Sequence, residues 1–112
     1  MIKVVITLVR QDGLSADEFA TRWREEHAPI AEELPHLQKY TISEPVDDNA
    51  EIDGVAQLFY DSLDDFHASM ESDVADRVRK DTAQFTDTAA GDQYVVRETV
   101  RVDETDENGD VD

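Results

Sequence analysis

A chain of 112 residues encloses one hydrophobic core and hardly two, and its 39% of apolar side chains suffice to build one. Twenty-eight acidic residues against ten basic ones leave a formal net charge of −18, which argues against nucleic acid as a partner because phosphate backbones are repelled. With no cysteine, disulfides, thiolate metal sites and cysteine nucleophiles are excluded.

Residues 2–9, IKVVITLV, are a β-branched run of strand length. Asp12-Gly13 makes a turn, and Ser15-Ala16-Asp17-Glu18 is a capping-box sequence that opens a helix. Phe19, Trp23, Ile30 and Leu34 recur at helical spacing, so the helix is expected over about 15–34, closed by Pro35. Pro29 lies inside that span and predicts a kink or break near residues 26–29. Residues 37–44 read as a second strand and residues 54–60, GVAQLFY, as a third. Ser62 caps a second helix carrying Leu63, Phe66 and Met70, and Ser72-Asp73 starts a further helical segment with Val74, Val78 and Phe85. Residues 93–102 alternate Tyr94, Val96, Val100 and Val102 on one face of a last strand. The acidic tail, residues 103–112, has no apolar pattern and is expected to be disordered.

The order β-α-β-β-α-β is the ferredoxin-like unit, an α+β fold with a four-stranded antiparallel sheet and its helices on one face. Ile2, Val4, Ile6, Leu8, Ala56, Leu58 and Tyr60 should face the helices. Val5, Thr7, Val9, Val55, Gln57 and Phe59 are left on the other side, too apolar for open water. A second copy packed sheet to sheet, closing a homodimer, is the simplest cover. No apolar run approaches the roughly 18 residues of a membrane helix. MIKVVITLVRQDG also lacks the layout of a signal peptide, so a cytoplasmic protein without membrane contact is expected.

The acidity is spread along the chain. Six acids lie in the last ten residues and the rest leave −12 over residues 1–102, with Asp outnumbering Glu 17 to 11. At about 1 M salt the Debye length is only about 3 Å and such repulsion is screened, so a halophilic setting is one reading and an ordinary acidic protein the other.

Among groups that could carry chemistry, His27 follows Trp23 by four residues just before Ala28-Pro29. An imidazole at a helix break can point into a cleft as a general acid or base, or be a hydrogen-bonded histidine at the helix–sheet boundary. His36 and His67 read as surface residues. Asp81 stands one turn before Phe85 on an otherwise buried-side segment; a helix-terminal or surface acid is the commoner reading of such a residue. Tyr40 is a strand hydroxyl able to bond a ligand, and Gln57 is a candidate buried amide that needs a partner. No histidine pair has ligand spacing, no G-x-S-x-G elbow occurs and no glycine cluster forms a phosphate loop. Neither a metal nor a nucleotide cofactor is therefore expected.

The run F-A-T-R-W-R-E-E-H-A-P-I (Phe19 to Ile30), followed by L-P-H-L-Q-K-Y (Leu34 to Tyr40), resembles the EthD family. V-A-Q-L-F-Y-D-S-L-D-D-F (Val55 to Phe66) and D-T-A-Q-F (Asp81 to Phe85) are similar to its second half, so the resemblance spans about residues 1–102. It implies a dimeric α+β barrel, in a superfamily that includes cofactor-free monooxygenases, muconolactone isomerases, haem-degrading proteins and ligand-sensing domains. It also implies a pocket near the barrel mouth in which His27, Tyr40 and Asp81 are the catalytic candidates. Trp23, Gln57, Phe59, Phe85 and Thr7 are the candidates for contact with a small apolar or aromatic, polyketide-like substrate. The activity expected is a cofactor-independent oxidoreductase, monooxygenase or dehydratase; the alternative is a non-catalytic binding or accessory protein. A fold alone does not transfer an activity.

Overall fold

The computed structural model describes residues 1–105. Its elements are β1 (Ile2–Leu8), α1 (Ala16–Arg22), a π-helical turn (Trp23–His27), α2 (Ala28–Ala31), β2 (Lys39–Ser43), β3 (Gly54–Tyr60), α3 (Leu63–Met70), α4 (Asp73–Phe85) and β4 (Gln93–Arg97). The strands form one sheet in the order β2-β3-β1-β4, every neighbouring pair antiparallel. This is the ferredoxin-like arrangement anticipated from the element order.

Register decides which side chains the helices cover. Val4 pairs with Leu58 and Ile6 with Ala56, while Tyr40 and Ile42 stand opposite the same Leu58 and Ala56. With the two-residue period of a strand, Ile2, Val4, Ile6 and Leu8 therefore share a face with Ala56, Leu58, Tyr60, Tyr40 and Ile42. The core under the helices forms as two adjoining groups, one around Val4, Leu34, Leu58, Tyr60 and Phe66, the other around Leu8, Phe19, Trp23, Ala56 and Phe85. Complete burial of one such large apolar side chain is worth about 1.5–3 kcal/mol. The Tyr60 hydroxyl keeps a partner inside the core, Ser69 Oγ at 2.8 Å.

Four expectations shift at element ends, the first strand closing at Leu8 rather than at residue 9. The helix expected over 15–34 is regular only to Arg22, widens through Trp23–His27 and ends at Ala31. The second strand is Lys39–Ser43, shorter than 37–44. The last strand stops at Arg97, because β1 supplies pairing partners only from Gln93 to Arg97; Val100 and Val102 lie beyond it and are exposed. Of the acidic tail, residues 106–112 lie outside the described residues.

Candidate functional site

The site begins with a helix that cannot continue as it started. Ser15 caps α1 through a complete capping box with Glu18, and Phe19 and Trp23 enter the core one turn apart. Pro29 has no N–H to offer Glu25 four residues back, and its ring would press on that carbonyl. Just before it the helix widens into a π turn, in which the Ala28 N–H reaches back to the Trp23 carbonyl. Wide turns of this kind occur frequently at functional sites. Both ends of this one, Trp23 and His27, are buried. The His27 ring packs on Phe85, centroid to centroid 5.1 Å, and the Arg22 guanidinium lies 5.0 Å from the centre of the same Phe85 ring.

From α4, Asp81 reaches both. Arg22 grips its carboxylate in a two-pronged pair, Nη1 to Oδ2 at 3.0 Å and Nη2 to Oδ1 at 2.7 Å. His27 Nδ1 lies 2.7 Å from Oδ2. The Arg22 hydrogen bonds, ahead of those from His27, hold the Asp81 carboxyl below the usual carboxylate range, so it stays an anion. Burial lowers the His27 pKa; Asp81 pulls the other way and Arg22 reinforces the lowering. The neutral imidazole therefore donates its Nδ1–H to Asp81, which leaves Nε2 with a lone pair. Thr82 Oγ1 is 3.5 Å from Nε2, but its single proton already goes to the Val78 carbonyl at 2.8 Å. Nε2 is thus an unengaged base.

Nε2 belongs to a residue that lines a cavity of about 500 Å³ between the helices and the sheet. Val4, Ile6, Leu8, Ala56 and Leu58 form its sheet wall; Ala31, Leu34, Met70, Ala75 and Val78 form its helix wall. Its polar lining comes from His27, Trp23, Tyr40 and Thr82 inside, and from Arg79, Thr88 and Gln93, all three exposed, at the rim. A mostly apolar chamber with a few convergent polar groups is the usual form of a small-molecule site. Burial pushes the Tyr40 hydroxyl up to about 12, so it is a neutral donor and acceptor at physiological pH.

The structure brings His27, Asp81, Tyr40, Trp23 and Phe85 together: His27, Trp23 and Tyr40 line the cavity, Asp81 pairs with His27, and Phe85 supports the imidazole from behind. Thr7, Gln57 and Phe59 are on the opposite face of the sheet, away from that cavity. There Thr7 Oγ1 accepts the Asp92 N–H, and Phe59 is covered by the ammonium groups of Lys3 and Lys39 at 5.5 and 5.1 Å. His36 and His67 are exposed, as expected. Arg22 and Thr82 belong to the site as well, and no motif or spacing in the sequence marks them. The available signal was Asp81 itself, since a lone acid on a buried-side segment needs a cation. Among the described residues no group of three His, Cys, Asp or Glu side chains is placed to hold a metal ion. No helix among them is long and apolar enough to cross a membrane.

Comparison with solved structures finds the same fold at low sequence identity. An ethyl tert-butyl ether degradation (EthD) family protein from Bacillus halodurans is 19% identical and superposes with a TM-score of 0.75, over 88% of this chain and all of the other. A dimeric ferredoxin-like protein of unknown function from Thermobifida fusca is 16% identical, TM-score 0.64, over 85% of this chain and 86% of the other. SnoaB, a cofactor-independent oxygenase from Streptomyces nogalater, is 13% identical, TM-score 0.63, over 92% of this chain and 95% of the other. No curated protein matches the chain. The fold is that of the dimeric α+β barrel type, and the model of the EthD domain matches residues 11–89, well over half of the sequence: the chain belongs to the EthD domain family.

Proposed function

We propose that the protein is a cofactor-independent enzyme that uses His27 Nε2 as a general base on an apolar or aromatic, polyketide-like substrate held in the cavity under the helices. The observation that carries this reading is the free Nε2 lone pair, backed through Nδ1 by an ion-paired Asp81, on a residue that lines a mostly apolar chamber. In the first step a C–H or O–H bond of the substrate breaks, the proton moves to Nε2, and the electron pair stays on the substrate as an enolate or phenolate. The resulting imidazolium is stabilised by Asp81, with Arg22 keeping that carboxylate in place. Tyr40 orients the substrate oxygen, and Phe85 holds the ring of the base. A carbanion made in this way is the common starting point for attack on dioxygen, for loss of water and for isomerisation. The likeness to a cofactor-independent oxygenase favours the first of these.

The assembly we propose is a homodimer closed through the outer sheet face, on which Val5, Thr7, Val55, Gln57, Phe59, Tyr94 and Val96 lie. Support comes from the apolar character of that face and from relatives of this fold described as dimeric. We also propose a cytoplasmic, high-salt setting for a surface this acidic.

The test is His27→Gln, whose amide can still reach Asp81. Aromatic ketones and acids are incubated with the full chain in molar KCl, and products are read by mass spectrometry. Loss of turnover by about 10²- to 10⁴-fold, with ligand binding and melting temperature retained, is the expected result. Binding without turnover in the parent protein would make it an accessory protein. Turnover that survives in the variant would remove His27 from the chemistry.

A further inference from the structure

The Trp23 indole Nε1 is the one buried side-chain nitrogen or oxygen among the described residues with no hydrogen-bond partner, and Trp23 itself is 0% exposed. Leaving such a group unpaired forfeits the hydrogen bond it would make to water and destabilises the fold. An indole N–H donates and cannot accept, so only an acceptor satisfies it. The ring cannot turn to find one in solvent. Its six-membered edge, Cζ3 and Cη2, presses on Gly54 at the start of β3, where any Cβ would collide with it. Phe19 packs against it at 5.7 Å between centroids. The sheet wall beside it, Leu8, Ala56 and Leu58, presents aliphatic side chains. Tyr40 stands near enough for the indole N–H to bear on its acidity, yet the two form no hydrogen bond of ordinary geometry.

We propose that Trp23 Nε1 and the Tyr40 hydroxyl form the recognition end of the cavity, and that the ligand seats an uncharged carbonyl oxygen between them. This rests on the reading of the cavity as a ligand site and specifies the chemistry that the site selects. A carbonyl oxygen has two lone pairs and takes one hydrogen bond from each donor. Burial disfavours an anion at the Tyr40 hydroxyl, and the same surroundings favour a neutral ligand oxygen over a charged one. A carbonyl held there is polarised by two donors, which acidifies the C–H beside it and lowers the demand on His27. Trp23 is then a specificity residue that also assists proton removal.

The probes are 9-fluorenone and fluorene, alike in shape and differing in one carbonyl. The chain has a single tryptophan, so its ¹⁵N-labelled form gives one indole N–H resonance that needs no assignment. Fluorenone should move that resonance downfield and fluorene should not, and the carbonyl stretch of bound fluorenone should fall to lower frequency. Trp23→Phe keeps an aromatic ring and removes the donor. It should weaken fluorenone binding about tenfold and leave fluorene binding unchanged. Should that variant fail to fold, the two spectroscopic readings on the parent protein decide. An indole resonance that answers both probes alike, or a carbonyl stretch unchanged from that in hydrocarbon solvent, overturns the proposal while the cavity stands as a ligand site. Failure of both probes to bind overturns the cavity reading and this proposal with it.

Discussion

Asp81 Oδ2 accepts the Nδ1–H of His27 at 2.7 Å while the same carboxylate is held from its other side by Arg22 at 2.7 and 3.0 Å. The relationship links the proton position on the imidazole to a carboxylate that is itself hard to protonate. It also spans the fold, because Arg22 and His27 lie at the end of the first helix and Asp81 on α4, more than fifty residues later. One side chain thus clamps two elements and chooses a tautomer.

Asp81→Asn should separate these roles from mere presence of a polar group. The amide keeps one acceptor oxygen in place of two, and it leaves the partly buried Arg22 with only the exposed Glu26, at 3.5 Å, as a counter-charge. A loss of about 2 kcal/mol is expected, seen as a fall of about 10 °C in melting temperature. Turnover should drop by about 10²-fold or more, as the imidazole loses its fixed tautomer. A variant that melts with the parent would show that the three side chains are not coupled.

Acid should weaken the protein in two stages. The folded-state pKa of His27 lies below 6.5, so the unfolded chain takes up that proton first as pH falls. Stability is therefore full above about pH 6.5 and declines from there until the folded-state value is passed. Asp81, held below 3.8, adds a second loss that begins near that pH and runs lower. Melting curves at fixed salt should show the upper stage in the parent and not in His27→Gln. Activity should rise with pH through a value under 6.5, because the base must be neutral; a profile that falls with pH over that range would contradict the role given to Nε2.

Val5→Asp should break the proposed dimer. Val5 sits on β1, the inner strand flanked by β3 and β4, paired with Gln57 on one side and Tyr94 on the other, at the middle of the outer face. A buried, unpaired carboxylate there should raise the dissociation constant at least about 100-fold, read by sedimentation equilibrium. Val102→Asp, beyond the sheet and 76% exposed, is the control and should leave association unchanged. A parent protein that sediments as a monomer at all concentrations would end the dimer assignment.

Salt should stabilise the protein strongly. Screening shortens from about 10 Å at 0.1 M to about 3 Å at 1 M, and carboxylate repulsion across a −18 surface is relieved over that range. The melting temperature is expected to rise by at least about 10 °C between 0.1 and 2 M KCl. Ion pairs such as Arg24–Glu44, half exposed, should contribute less at the upper end. A flat response would place the acidity outside any adaptation to salt.

Much of the architecture is local in origin and so was legible in the residues. The period-two run at 2–8, the serine caps at 15, 62 and 72, and the strand 54–60 each follow from neighbours within a few positions. Pro29 announced a break in the first helix in the same way, and the EthD-like spacing of Phe19, Trp23, His27 and Pro29 singled out the residues that meet at it. Alternation along β1 and β3 also separated the helix-covered face from the outer one, because side-chain direction in a strand depends on parity alone.

What parity could not decide is which face would hold the cavity. Sequence reasoning set Thr7, Gln57 and Phe59 beside His27, whereas helices packed on the other face enclose the space and leave those three outside it. Nor could spacing pair Arg22 with Asp81, or show that Thr82 spends its proton on Val78, since these are distances between segments far apart in the chain. The net charge of −18 and an apolar content sufficient for a core were fixed by composition. That the Trp23 N–H has no partner, and that His27 meets Asp81 through Nδ1, was decided only by packing, because a hydrogen bond depends on tenths of an ångström that no one-dimensional pattern carries.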